Sequence, residues 1–196
     1  MHGLINRAIQ CFLRDTYGAA QWAAIAREAR LGFDSFEPML HYPATMTDDV
    51  LQAATDLLGR PRDAILEDIG TYLVSHPNLE ALRRLLRFGG VGFRDFLHSV
   101  EDLRGRGRLA LPDLELPDLE LSEQQPELFT LRCRSDFLGS GMVIMGLLRA
   151  MADDYGALVL LEYQGAGDDG EVIEIQLLET EFAEGRRFDL SARAGE

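Results

Sequence analysis

Apolar side chains recur at helical spacing through the first half of this chain and at strand spacing near its end. That change of period calls for a helical beginning followed by an α+β portion with an antiparallel sheet. Leu4, Ile5, Ile9, Phe12, Leu13, Trp22 and Ile25 predict two helices over residues 4–30, broken at Tyr17-Gly18. Thr47-Asp-Asp-Val50 predicts the opening of a third helix with an acidic first turn, closed by Gly59-Arg-Pro61, and a fourth follows from Arg62 to about Val74. His76-Pro77-Asn78 is a break, and Leu79 to Phe88 is a short amphipathic helix stopped by Gly89-Gly90. Phe93, Phe96, Leu97, Val100 and Leu103 mark one face of the next helix, which Gly105-Arg-Gly107 is expected to end.

Beyond that helix, Leu109 to Leu121 alternates Leu with Asp or Glu around Pro112 and Pro117, the pattern of an edge strand or of an extended linker. Because proline removes a ladder donor, the linker is favoured. Leu128 to Arg134 predicts a strand and Met142 to Met151 a helix. Ala157–Gln164 and Glu171–Leu178 predict a hairpin across the Gly-rich segment between them.

A chain of 196 residues, 46% hydrophobic, is long enough for one domain with a full core. The net charge of −14 argues against a nucleic-acid partner, which clustered cations would have to hold. No apolar run approaches the ~18 residues that span a bilayer, and the N-terminus lacks a signal-peptide pattern, so a cytoplasmic protein with no membrane partner is expected. Cys11 and Cys133 are too few and too far apart for a disulfide framework, and both read as reduced thiols. No Ser-His-Asp set, H-E-x-x-H or paired-carboxylate motif stands out, so an enzyme is not expected.

Phe93-Arg-Asp-Phe96-Leu97-His98-Ser-Val100-Glu-Asp-Leu103-Arg104, followed by a Pro-containing segment, resembles the proximal helix of the heme-nitric oxide/oxygen-binding (H-NOX) family. This is the sensor domain of soluble guanylate cyclase and its bacterial relatives, whose helix typically reads F-x-x-F-L-x-x-L-D-x-L-H. Met1-His-Gly3-Leu-Ile5, Tyr17-Gly18, Trp22 and Tyr42-Pro43 are similar to the family's opening segments. Arg104, Pro117 and the triplet Cys133-x-Ser135-x-Phe137 are spaced like the family's His, Pro and Y-x-S-x-R. The resemblance covers residues 1–188 as one H-NOX-like domain, a helical lobe (1–60) packed on an α+β lobe with an antiparallel sheet (61–188). Residues 189–196 form a tail.

The resemblance implies a heme b cofactor, nitric oxide sensing, and signalling to a partner such as a histidine kinase or a cyclic-dinucleotide enzyme. It also implies cofactor-site positions at Ile5, Ile9, Arg104, Pro117, Cys133, Ser135, Phe137, Met142 and Gly146. Several of these depart from the family's chemistry. Arg104 stands where the iron-binding His would be, and a guanidinium has no lone pair to give iron. His98 is the one His on this helix, yet six residues place it roughly 120° around and about 9 Å along from Arg104, so it becomes a metal ligand only if the register shifts. Of the three propionate donors only Ser135 remains; Cys133 is a second conceivable ligand as a thiolate, and otherwise a small buried hydrophobe. Ile5, Ile9, Met142 and Gly146 offer no hydrogen-bond donor to a bound gas, which would favour NO over oxygen.

Arg104 in a cleft requires an anionic partner, for which Glu101 and the run Asp113–Glu120 are candidates. Gly139-Ser-Gly141, between a strand and a helix, loosely resembles a nucleotide-binding turn. The arginines from Arg83 to Arg108 form a basic stretch, either a solvated face or a docking surface. Three functions compete at this point: a gas sensor with altered heme ligation, a heme-free module that binds a partner or small ligand on the same fold, and a small enzyme.

Overall fold

The computed structural model describes residues 1–186 and has eight α-helices and four strands among them, an α+β fold. The start of the expected tail, like the tail itself, lies outside the described residues.

His2 caps the first helix, α1 (Gly3–Tyr17), by accepting the Leu4 N–H, and Gly18 at φ 92° turns the chain into α2 (Ala19–Glu28). Helix α3 (Ala44–Leu58) begins three residues before the expected Thr47, with Pro43 preceding its first turn and no acidic residue in that turn. Proline's fixed φ preorganises a helix start, and it outcompetes the acidic turn as the opening signal here. Polar side chains tie the three helices into one lobe. Thr47 Oγ1 donates to Asn6 Oδ1 at 2.7 Å, the Trp22 indole donates to the Asp34 carbonyl at 2.9 Å, and Gln10 Oε1 accepts the Phe36 N–H at 2.9 Å.

Helix α4 (Arg62–Ser75) follows, then a 3₁₀ turn at Pro77–Leu79 and α5 (Glu80–Arg87). The predicted helix through Leu103 is divided. It comprises α6 (Phe93–Ser99), a 3₁₀ turn over Val100–Asp102, and α7 (Leu103–Ala110). Gly105 and Gly107 do not end it. Gly107 lies inside the helix, and Leu116 of the following segment packs against it, where a Cβ would come within 2.5 Å of the Leu116 Cδ1.

The segment from Leu109 to Leu121 resolves into the end of α7, a connection, and the edge strand β1 (Asp118–Gln125). The strands β2 (Leu128–Arg134), β3 (Leu158–Gly167) and β4 (Gly170–Glu179) complete an antiparallel sheet in the order β1-β2-β4-β3, with α8 (Ser140–Tyr155) between β2 and β3. Phe129, Leu131 and Cys133 of β2 and Ile173, Ile175 and Leu177 of β4 turn to the core, as strand alternation requires. Above them α8 is nearly all buried and packs along α4.

Candidate functional site

Arg104 sits in the first turn of α7. Its stem is enclosed, its side chain is 38% exposed, and Nη1 lies 3.7 Å from an Asp118 carboxylate oxygen at the start of β1. The partner comes from the acidic run expected to supply one. Glu101 is engaged elsewhere, accepting the Leu121 N–H at 2.8 Å. The 3₁₀ turn between α6 and α7 breaks the helical projection that related His98 to Arg104. His98 is exposed on α6, its ring edge-on to Phe129 with centroids 5.9 Å apart, and among the described residues no group of three or more His, Cys, Asp or Glu side chains could hold a metal ion.

Cys133 opens onto a polar cluster that strand phase alone reveals. In β4 the inward row reads Glu171, Ile173, Ile175, Leu177, so Glu171 points into the core directly opposite Cys133. Its carboxylate accepts four hydrogen bonds: from the Gly139 N–H and the Ser140 hydroxyl at 3.1 Å on Oε1, and from the Gly141 N–H at 3.1 Å and the Tyr163 hydroxyl at 2.8 Å on Oε2. Cys133 Sγ is 3.3 Å from the same Ser140 oxygen. Burial pushes the Cys133 thiol up to about 11 against the hydrogen bond with Ser140, and the Glu171 carboxylate acts in the same direction as burial. It is a neutral thiol at physiological pH, not a thiolate. The Gly139-Ser-Gly141 turn does bind an anion at the start of a helix, as such turns can, but the anion is the chain's own Glu171.

Ser135 is exposed, and its hydroxyl accepts the Phe137 N–H at 3.1 Å within a local turn. Phe137 packs against the core with the Arg62 guanidinium 6.0 Å from its ring centre. Pro117 is half-buried just before β1. Ile9 and Met142 are core, and Ile5 in α1 is half-buried against the core. Gly146 is where α8 meets α4, so close that a Cβ would fall 1.9 Å from the Glu67 carbonyl oxygen.

Residues 2–162 match the model of the family described as haem-NO-binding. The chain belongs to the H-NOX family. Its relatives include soluble guanylate cyclase 89Db of Drosophila melanogaster, 21% identical over 83% of this chain, and soluble guanylate cyclase gcy-31 of Caenorhabditis elegans, 23% identical over 79%. The matched regions span only 24% and 22% of those proteins. Similar solved structures include the Fe(II) unliganded H-NOX protein from K. algicida, with TM-score 0.76 and 17% identity over 96% of this chain and all of that one. The H-NOX protein from S. oneidensis in the Fe(II)NO state gives TM-score 0.75 and 16% identity over 91% of this chain and all of that one. These likenesses confirm the expected fold.

The side chains of this H-NOX chain do not fit a heme held in the ordinary way. Iron takes an imidazole, thiolate, thioether or phenolate, whereas position 104 offers a guanidinium already facing a carboxylate. Cys133 is protonated and hydrogen-bonded. At the three positions similar to the propionate clamp, the thiol and the phenyl ring lack the charge-assisted donors a carboxylate needs, and the remaining hydroxyl, that of Ser135, accepts its own turn's N–H. Glu171 adds a buried negative charge beside them.

Proposed function

We propose that this chain is an H-NOX-type regulatory module that acts by binding a partner protein, with no side-chain bond to heme iron. The observation that carries the reading is the Arg104–Asp118 ion pair at the position where the family resemblance puts the axial ligand. Asp118 faces the guanidinium and water reaches both side chains, so no anionic small molecule is needed to offset the charge. The partner class is a signalling enzyme such as a histidine kinase or a cyclic-dinucleotide enzyme, in the cytoplasm. The module itself is a regulator and not a catalyst.

A second reading, a gas sensor with altered heme ligation, draws on the relatives, which include soluble guanylate cyclases and an H-NOX protein described in an Fe(II)NO state. An absorption spectrum of the purified protein, followed by titration with hemin, separates the two. Under the first reading the protein purifies without a Soret band and binds hemin weakly, while Arg104→His combined with Cys133→Tyr and Phe137→Arg raises hemin occupancy. Wild-type protein that purifies fully loaded, and loses its heme in His98→Ala, would overturn it.

A further inference from the structure

The basic stretch of the sequence comes together with an exposed apolar patch. Residues 83–108 hold seven arginines against three acidic residues (Asp95, Glu101 and Asp102); Arg83 and Arg87 pair with Asp154, Arg94 with Glu123 and Arg104 with Asp118, which leaves Arg84 and Arg106 to charge this face. The end of α5, the end of α6 and α7 meet through Arg106, whose guanidinium donates to the Leu85 carbonyl at 3.2 Å and the Ser99 carbonyl at 2.8 Å. Phe88 is 73% exposed, Val91 94% and Leu109 89%, and Leu85 is at the margin of exposure. Leu109 lies one turn along α7 from Arg106 and so shares its side of the helix, while Arg84 and Phe88 share a side of α5 for the same reason. Among the described residues Arg106 donates to the Leu85 and Ser99 carbonyls and the Ser99 hydroxyl, and Arg84 reaches Glu80 no closer than 3.8 Å.

An aromatic side chain standing in water among aliphatic neighbours and incompletely neutralised guanidiniums has the make-up of a recognition surface, since exposed apolar patches rimmed by polar groups mark binding sites. We infer that the face formed by Leu85, Phe88, Val91 and Leu109, with Arg84 and Arg106 at its rim, docks an acidic amphipathic helix of a partner protein. The inference rests on the partner-binding reading above and adds the surface and the chemistry of its occupant. The helix lays its apolar stripe over Phe88 and sets its carboxylates toward the arginines. Complementary charge at the rim speeds encounter and excludes basic partners. Arg104 projects from roughly the opposite side of α7 to Arg106, so one short helix carries both the Asp118 pair and part of the docking face.

The probe is a synthetic, fluorescently labelled peptide of roughly 18 residues, about five helical turns, with Leu on one face and Glu on the flanks. Its controls are a scrambled peptide of the same composition and a version with Lys in place of Glu. Fluorescence anisotropy with the full chain is expected to show saturable binding of the acidic amphipathic peptide alone, weakening as salt rises and falling about tenfold or more in Phe88→Asp and in Arg84→Glu. Phe88 is exposed and Arg84 half-buried, so circular dichroism on each variant must report unchanged folding before its binding is read. Equal binding of the scrambled peptide, no binding, or insensitivity to Phe88→Asp would overturn the proposal. Binding instead to phosphatidylserine-containing vesicles, or a self-association in sedimentation that Phe88→Asp abolishes, would reassign the face to a membrane or to a second copy. The hemin titration is read independently, so failure here leaves the heme-free reading to stand or fall on its own spectrum.

Discussion

Gly70 of α4 and Gly146 of α8 interlock: a Cβ on the first would lie 2.0 Å from the Val143 carbonyl oxygen, and one on the second 1.9 Å from the Glu67 carbonyl oxygen. Both obstacles are backbone, so neither can swing aside. Thr71 reinforces the crossing by donating to the Gly146 carbonyl at 3.3 Å. Gly70→Ala and Gly146→Ala are each expected to cost at least about 1–3 kcal/mol in urea unfolding, the range for overpacking a core. The double variant should lose less than the sum, because one separation of the helices relieves both clashes.

Glu171 gives a sharper test of polar satisfaction. Glu171→Ala strands donors from Gly139, Ser140, Gly141 and Tyr163, at a cost on the order of 3 kcal/mol or more. Glu171→Gln is expected to lose part of that, about 1–3 kcal/mol, since its NH2 would meet a glycine N–H that cannot accept, whereas the Ser140 and Tyr163 hydroxyls can turn to accept. A glutamine variant as stable as wild type in thermal unfolding would contradict the four-donor arrangement.

Burial pushes the Cys133 thiol from 9.0 up to about 11 in the folded protein. The protonated form is the one the fold favours, so this stability is complete below pH ~9 and drains away as pH rises toward 11, by on the order of 1 kcal/mol at pH ~10. Cys133→Ala should flatten that slope in urea midpoints measured across the window. In the native protein an alkylating reagent should modify half-exposed Cys11 first.

The Arg104–Asp118 pair, with side chains 38% and 50% exposed, is expected to add little to stability. Asp118→Asn should change the unfolding free energy by no more than about 1 kcal/mol, and less at high salt. A loss of several kcal/mol would show that the pair is far more enclosed than its exposure indicates.

The helices at either side of Gly18, the break at His76-Pro77-Asn78, strand β2 and the closing hairpin are all legible in apolar period and turn residues. Helix α7 is not. A glycine's helix penalty of about 1 kcal/mol is a local quantity, and the helix runs through Gly105 and Gly107 in spite of it, with Leu116 folded back against Gly107. At the candidate site the replacements at 104, 133 and 137 can be read from spacing alone; the exposure of Arg104, which leaves its guanidinium in reach of water, cannot. Glu171 escaped because a charged residue at the head of a strand reads as solvent-facing. Its phase with Ile173, Ile175 and Leu177 carries the contrary message.

Strand β1 forms one margin of the sheet, with Pro117 immediately before it and Glu120 and Glu123 along it. A margin of this kind resists templating: Glu101 already holds the Leu121 N–H, Arg134 and Arg94 lie against Glu120 and Glu123, and the proline ahead of the strand donates no hydrogen bond. A foreign strand finds this edge already occupied by the chain's own side chains, so crowded copies of the protein should not polymerise through β1.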